Sequence, residues 1–261
     1  MRSSRTSVAG IFGYMLCCSF TLAAQTSATS ATFSYSGDTG PGFWGEIDSA
    51  CASTPASRQS PIDIDNVEVD RSLTPLDTVL GETSYTLTNP GYTVVATPHR
   101  AGTLILNGIP FSLRQFHFHT LAEHTIGGRR SVMELHAVFD DASSNSAVIG
   151  VLYRIGRANP FLATILSAGL PQKTTSPPVT VTGLDLATAF TDVSSYYTYP
   201  GSLTTPPCSE NVTWLLLRQP AELTVSQFQE FRKGLGNDFR PLQARNGRVV
   251  LASPRRRNDD D

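Results

Sequence analysis

The stretch "RQFHFHTLAEHT", residues 114–125, holds three of the chain's five histidines. His117 and His119 alternate with Phe116 and Phe118. Side chains two apart on a β-strand share a face, so Gln115, His117 and His119 point one way and both phenylalanines the other. The two histidine Cβ atoms then lie ~7 Å apart. Both imidazoles can converge on one metal ion at ~2.0–2.1 Å. "MELHAVF", residues 133–139, repeats the device: Glu134, His136 and Val138 share a face, and Leu135, Ala137 and Phe139 share the other. If the two strands are neighbours, His136 supplies a third ligand. Three protein nitrogens and one open position make a catalytic zinc site, whereas a structural site fills the fourth position with protein. Gln115 and Glu134 are candidate partners for the second ring nitrogen of such ligands, fixing the tautomer. His124, five residues beyond His119, is a rival third ligand that spacing does not exclude. His99, beside Pro98, reads as an exposed turn residue.

Short alternating or apolar runs lie between turn-rich punctuation. The runs are "YTVVA" (92–96), "GTLILNG" (102–108), "SVMELHAVF" (131–139), "SAVIGVLYRIG" (146–156) and "VTWLLL" (212–217), all strand signatures. Two segments predict helices. "NPFLATILSAGL" (159–170) has Asn159 as N-cap and Pro160 in the first turn. "TVSQFQEFRKGLG" (224–236) has apolar residues at helical spacing and a glycine near its end. The expected fold is one β-dominated domain with a few peripheral helices.

The N-terminus predicts a secretory signal at 1–24: Arg2 and Arg5, then an apolar stretch ending at Ala24. A small, polar linker follows at 25–32, the domain at 33–253, and a flexible tail at 254–261. The apolar stretch is short for a membrane span and nothing like it recurs, so no span is expected in the mature chain. Cleavage removes two arginines, and the formal charge becomes (20 − 2) − 22 = −4. No basic patch announces a nucleic-acid partner. Cys17 and Cys18 leave with the signal, so Cys51 and Cys208 remain as an even pair in an oxidising compartment, and one disulfide is predicted. Closing so long a loop stabilises by at most about 5 kcal/mol in the chain-entropy model. The sequon "NVT" at 211–213 abuts Trp214 in a predicted strand and reads as an unmodified strand residue. Nothing in the sequence sets an oligomeric state.

Further blocks join the histidine motifs: "GPGFWG" (40–45), "RQSPIDI" (58–64), "AEHT" (122–125), "SAVIGV" (146–151), "YPGSLTTPPCSENVTW" (199–214) and "NDFRPLQARNGR" (237–248). Together, and in this order, they resemble the α-class carbonic anhydrases of the secreted type. The resemblance covers nearly all of 33–252. It implies a single domain on a large, central, mostly antiparallel twisted β-sheet with a few short peripheral helices. It implies Zn2+ on His117, His119 and His136, with Gln115 and Glu134 behind them, and gives His124 a structural place off the metal. Glu123 matches a buried glutamate that orients the hydroxyl of Thr204. Val138, Val148, Leu203, Val212 and Trp214 match an apolar wall that holds CO2, and Thr205 matches a polar residue near bicarbonate. Ser60–Pro61 and Pro206–Pro207 match cis bonds. The implied reaction is reversible hydration of CO2 to bicarbonate and a proton, by attack of zinc-bound hydroxide.

One position departs from the resemblance. Fast members carry a proton-relaying histidine where "NPGYTV" places Tyr92. Tyrosine titrates near ~10, far from a neutral-pH relay, whereas histidine titrates near ~6.5. Slow proton transfer is therefore expected, unless His99 lies near the cavity mouth. Two other functions compete: a catalytically dead binding protein on the same scaffold, and an unrelated three-histidine metal hydrolase or oxygenase. The intact histidines with Thr204 and Glu123 weigh against the first, and the "SLTTPP" and "QSPIDI" blocks against the second.

Overall fold

Ten strands run side by side across the molecule. In chain order they are β1 (Glu68–Val69), β2 (Thr83–Thr88), β3 (Val95–Pro98), β4 (Ile109–His119), β5 (Met133–Asp140), β6 (Ser146–Ile155), β7 (Val179–Leu184), β8 (Tyr196–Gly201), β9 (Val212–Leu217) and β10 (Leu251–Ala252). Their spatial order is β7-β2-β3-β4-β5-β6-β9-β8-β10-β1. Along this path only β6–β9 and β10–β1 pair in parallel. This computed structural model describes residues 33–172 and 174–254. The expected signal peptide, the linker at 25–32 and the tail from 255 onward lie outside the described residues.

The central strands are buried on both faces, each for a different reason. Phe116, Phe118, Leu135, Ala137, Phe139, Ala147, Ile149, Val151, Leu215 and Leu217 enter one large apolar core. The residues alternating with them face the other way, into a smaller apolar cluster and the histidines. Helices Pro160–Ala168 and Val225–Leu235 flank the large core through Phe161, Leu162, Ile165 and Phe231. Both start where the sequence predicts. The Asn159 side chain accepts from the Leu162 N–H, and Thr224 with Gln227 forms a reciprocal capping box.

The strand expected over 92–96 begins only at Val95. Gly91 takes a φ of 105° and donates its N–H to Asn89 Oδ1 at 2.8 Å, so the chain is still turning as it passes Tyr92. Strand β4 carries a bulge that no residue count foresaw. Val138 pairs with Gln115 but Phe139 with Leu113, which leaves Arg114 as the extra residue. Ser60–Pro61 and Pro206–Pro207 are cis as expected, and Thr120–Leu121 is cis as well.

Candidate metal centre

Strands β4 and β5 are antiparallel neighbours, with His136 directly opposite His117 and Glu134 opposite His119. One ring nitrogen from each of His117, His119 and His136 lies within 4.8 Å of the others. The remaining ring nitrogens are all engaged. His117 Nδ1 donates to Gln115 Oε1 at 2.9 Å, His119 Nδ1 to the Asp238 main-chain oxygen at 2.5 Å, and His136 Nε2 to Glu134 Oε1 at 2.8 Å. A carbonyl or carboxylate oxygen can only accept, so each engaged nitrogen carries the proton. The lone pair is therefore left on Nε2 of His117, Nε2 of His119 and Nδ1 of His136. His119 Nε2 is fully buried with no hydrogen-bond partner, which a polar atom seldom tolerates unless something binds it. Burial pushes His136 down to about 4 and His117 well below the usual histidine range, helped by the neighbouring imidazoles. These two rings are thus held neutral, the form a metal requires.

His124 cannot join them. Its Nδ1 bonds Glu134 Oε1 at 2.7 Å and its Nε2 bonds the Tyr199 hydroxyl at 2.6 Å, so both nitrogens are used. Glu134 is the hub of this arrangement. Its Oε1 serves His124 and His136, and its Oε2 accepts the N–H groups of Glu123 and His124 at 2.8 and 2.9 Å. Burial alone would raise its pKa, but the adjoining His124 and His136, both hydrogen-bonded to it, outweigh burial and hold the carboxyl well below its ordinary range. Gly150 lies opposite His136 on β6. A Cβ there would come within 2.7 Å of Leu216 and 3.3 Å of Glu134 Oε1, so a side chain would crowd the hub.

Glu123 lies against two of the three rings. Its Oε2 is 3.6 Å from His119 Nε2 and 3.9 Å from His136 Nδ1. Its Oε1 accepts the Arg240 N–H at 2.7 Å. Burial raises it to about 8, opposed by that N–H and by the Thr204 hydroxyl. Thr204 is buried in the turn that follows β8, and Thr205 beside it is half-buried. The turn is anchored at several points: Leu203 N–H bonds Ser209, Cys208 N–H bonds Thr205, and Ser60 N–H bonds Ser202 Oγ at 2.9 Å. Cys51 and Cys208 form the predicted disulfide, which ties this turn to the N-terminal segment.

Val138, Val148, Val212 and Trp214 pack in one apolar cluster on the histidine side of the sheet, with Leu203 partly buried against it. All five expected wall residues are therefore brought together. Tyr92 is half-buried and packs against Phe33 with the rings tilted, centroids 4.6 Å apart, and burial raises its pKa further. His99 is exposed, and its Nε2 bonds Thr86 at 2.8 Å on the neighbouring strand. It follows β3, which runs away from the His119 end of β4.

Two contributors escaped the sequence reading. Asp238, 1% exposed, supplies the main-chain oxygen behind His119, and its own Oδ2 lies 4.0 Å from His119 Nδ1. Burial raises its pKa to about 7, opposed by His119 and the Thr120 N–H. Arg240, 2% exposed, reaches Gln59 Oε1, the Ser60 oxygen and the Cys51 oxygen at 2.8–2.9 Å. Both lie in the "NDFRPLQ" block, but nothing in local spacing places them 119 and 117 residues back along the chain.

Comparison with known proteins agrees with this geometry. Residues 39–254 match the family described as eukaryotic-type carbonic anhydrase. A carbonic anhydrase of Klebsiella pneumoniae is 37% identical over 225 residues, covering 84% of this chain and 90% of that protein. Alpha carbonic anhydrase 7 of Arabidopsis thaliana is 33% identical, covering 94% of this chain and 96% of its own. The α-carbonic anhydrase of Thermovibrio ammonificans, solved with the inhibitor sulfanilamide, superposes with a TM-score of 0.79 at 33% identity, covering 84% of this chain and 98% of that one. With a mostly antiparallel sheet, three converging imidazoles and a family match over most of its length, this chain belongs to the α-class carbonic anhydrases and is an enzyme of that family.

Proposed function

We propose that the chain interconverts CO2 and bicarbonate at Zn2+ held by His117, His119 and His136. The observation that carries this is the set of three imidazole lone pairs turned toward one point, each on a ring whose other nitrogen is already committed. Neutral nitrogen donors of this kind suit zinc. Zinc held there supplies the Lewis acidity that makes a hydroxide nucleophile available near neutral pH.

The chain's own residues then do the orienting. Glu123 Oε1 is taken by the Arg240 N–H, which fixes the carboxylate as an acceptor for the Thr204 hydroxyl. Thr204, having donated its proton to Glu123, can only accept from the nucleophile. That bond restricts the attacking oxygen to one direction, which is catalysis by orientation. Val138, Val148, Leu203, Val212 and Trp214 offer CO2 an apolar surface without competing for the nucleophile's hydrogen bonds. Thr205, half-buried next to Thr204, is placed to contact bicarbonate. Tyr92 takes the shuttle position, and its raised pKa makes it a poor relay, so proton export limits turnover. The Cys51–Cys208 disulfide supports an oxidising compartment and hence secretion, with cleavage near Ala24.

Stopped-flow CO2 hydration on the protein as isolated, metal-stripped and zinc-restored tests the reading. Activity should vanish on stripping and return with zinc. A chain holding one zinc yet inactive would overturn it and leave a binding scaffold.

A further inference from the structure

The three zinc-site imidazoles are backed unequally. His117 leans on the neutral amide of Gln115, and His136 on Glu134, a carboxylate whose two oxygens receive four hydrogen bonds. His119 leans on the main-chain oxygen of Asp238. The side chain of that same residue also faces the ring. Asp238 Oδ1 accepts the Thr120 N–H at 2.7 Å, and the Thr93 hydroxyl, which donates to the Phe118 oxygen, also lies beside the carboxyl and favours its ionised form, while Oδ2 lies 4.0 Å from His119 Nδ1 with no donor in full hydrogen-bond geometry. The residue is 1% exposed, so water does not solvate it freely.

A buried carboxylate oxygen without a donor is costly unless a positive charge compensates it. Neither Glu123 nor Arg240 supplies it. Glu123, the other carboxylate near His119, repels it. The Arg240 guanidinium, two residues on, is directed to Gln59, Ser60 and Cys51. His119 is the neighbour whose charge favours the ionised carboxyl, and a cation on the opposite edge of its ring would act the same way, through the Nδ1–H that faces Asp238.

We propose that the Asp238 carboxylate is a positioning residue for zinc retention: it strengthens His119 as a donor, and the bound cation in turn compensates its burial. This rests on the reading that His117, His119 and His136 hold zinc. Partners behind a metal-bound histidine commonly change metal affinity by about 10–100-fold. Such coupling is reciprocal: what zinc gains from Asp238, Asp238 gains from zinc.

Asp238→Asn isolates the effect. It keeps the main-chain bond to His119 and an acceptor for the Thr120 N–H, and removes only the charge. Zinc-loaded wild type and D238N are mixed with excess 4-(2-pyridylazo)resorcinol, and zinc release is followed by the dye. Release from D238N should be about 10-fold faster or more. The zinc-free variant should also melt no lower than zinc-free wild type, so the Tm gap between loaded and zinc-free protein shrinks. Unchanged release overturns the inference. So does faster release accompanied by an equal fall in Tm of both forms, which a packing role alone would give. Asp238→Ser, smaller and neutral, carries the same test if the amide is not accommodated. Wild type that takes up no zinc would refute the site reading itself, and this inference with it.

Discussion

Tyr92 shows how much one residue's surroundings add to its identity. The sequence places a tyrosine where a neutral-pH relay needs an imidazole. The fold makes the mismatch worse, because the ring packs against Phe33 and burial raises its pKa. His99 gives no substitute, being exposed and bonded to Thr86. On the proposed mechanism, proton export then passes directly from the cavity to buffer. Imidazole buffers should raise kcat in a saturable manner, and Tyr92→His should raise kcat by about tenfold or more at low buffer concentration. Indifference to both, measured by stopped flow, would sink the idea. The placing of His117 and His119 on one face was legible at this scale because strand alternation sets it whatever the rest of the chain does. Asp238 was not, because its contact with His119 spans 119 residues and depends on how the C-terminal segment returns to the sheet.

Between residue and molecule, the element that decides the site is the bulge in β4. Before it, Phe111 and Leu113 face the large core, and after it Phe116 and Phe118 do, although the two pairs have opposite parity. Only an inserted residue lets both pairs be buried while Gln115, His117 and His119 stay on the other face. The sequence carries this signal: in "FSLRQFHFH" the apolar alternation breaks at Arg114–Gln115 and resumes out of step. Arg114 itself makes only an exposed ion pair with Asp140 at 2.9 Å. Arg114→Ala should thus cost no more than about 1 kcal/mol. Deleting Arg114 is a different matter. It forces either the phenylalanines or the histidines onto the wrong face, so the deletion should yield protein that binds no zinc or does not fold. Zinc content by atomic emission, paired with a urea melt, separates the two variants. A deletion protein that holds one zinc with wild-type stability would refute this role for the bulge.

At the scale of the whole molecule, zinc site and fold stability are one problem, because the site's charges sit inside the protein. The predicted β-rich class, the two helices and the disulfide are all present, since each was written in local pattern or cysteine count. The balance of buried charge was not, because it depends on burial that no spacing reveals. In the zinc-free protein, His136 falls from 6.5 to about 4 and His117 well below 6.5, so both rings stay neutral when folded. Their contribution to stability is full above the ordinary histidine pKa and is lost as pH falls through the folded values. Glu134, also lowered, acts in the same direction at still lower pH. Glu123 and Asp238 act oppositely. Burial raises them from 4.5 to about 8 and from 3.8 to about 7, so the folded state favours their protonated forms. Their contribution is full below the ordinary carboxylate range and is lost as pH rises through about 7 and then about 8. Between the carboxylate and histidine ranges the two effects offset each other, and above 6.5 only the carboxylates still titrate. Zinc-free protein should therefore lose thermal stability from pH 6.5 to 8, while zinc-loaded protein, whose cation compensates the two ionised carboxylates, should not. Deprotonation of His117 or His136 does not account for such a widening gap, because both are already neutral across that window. Melts of both forms at pH 6, 7 and 8 would measure it. A flat zinc-free profile would mean that Glu123 and Asp238 are solvated or paired in solution. A gap that narrows in D238N and nearly closes when Glu123→Gln is added would assign the effect to these two carboxylates.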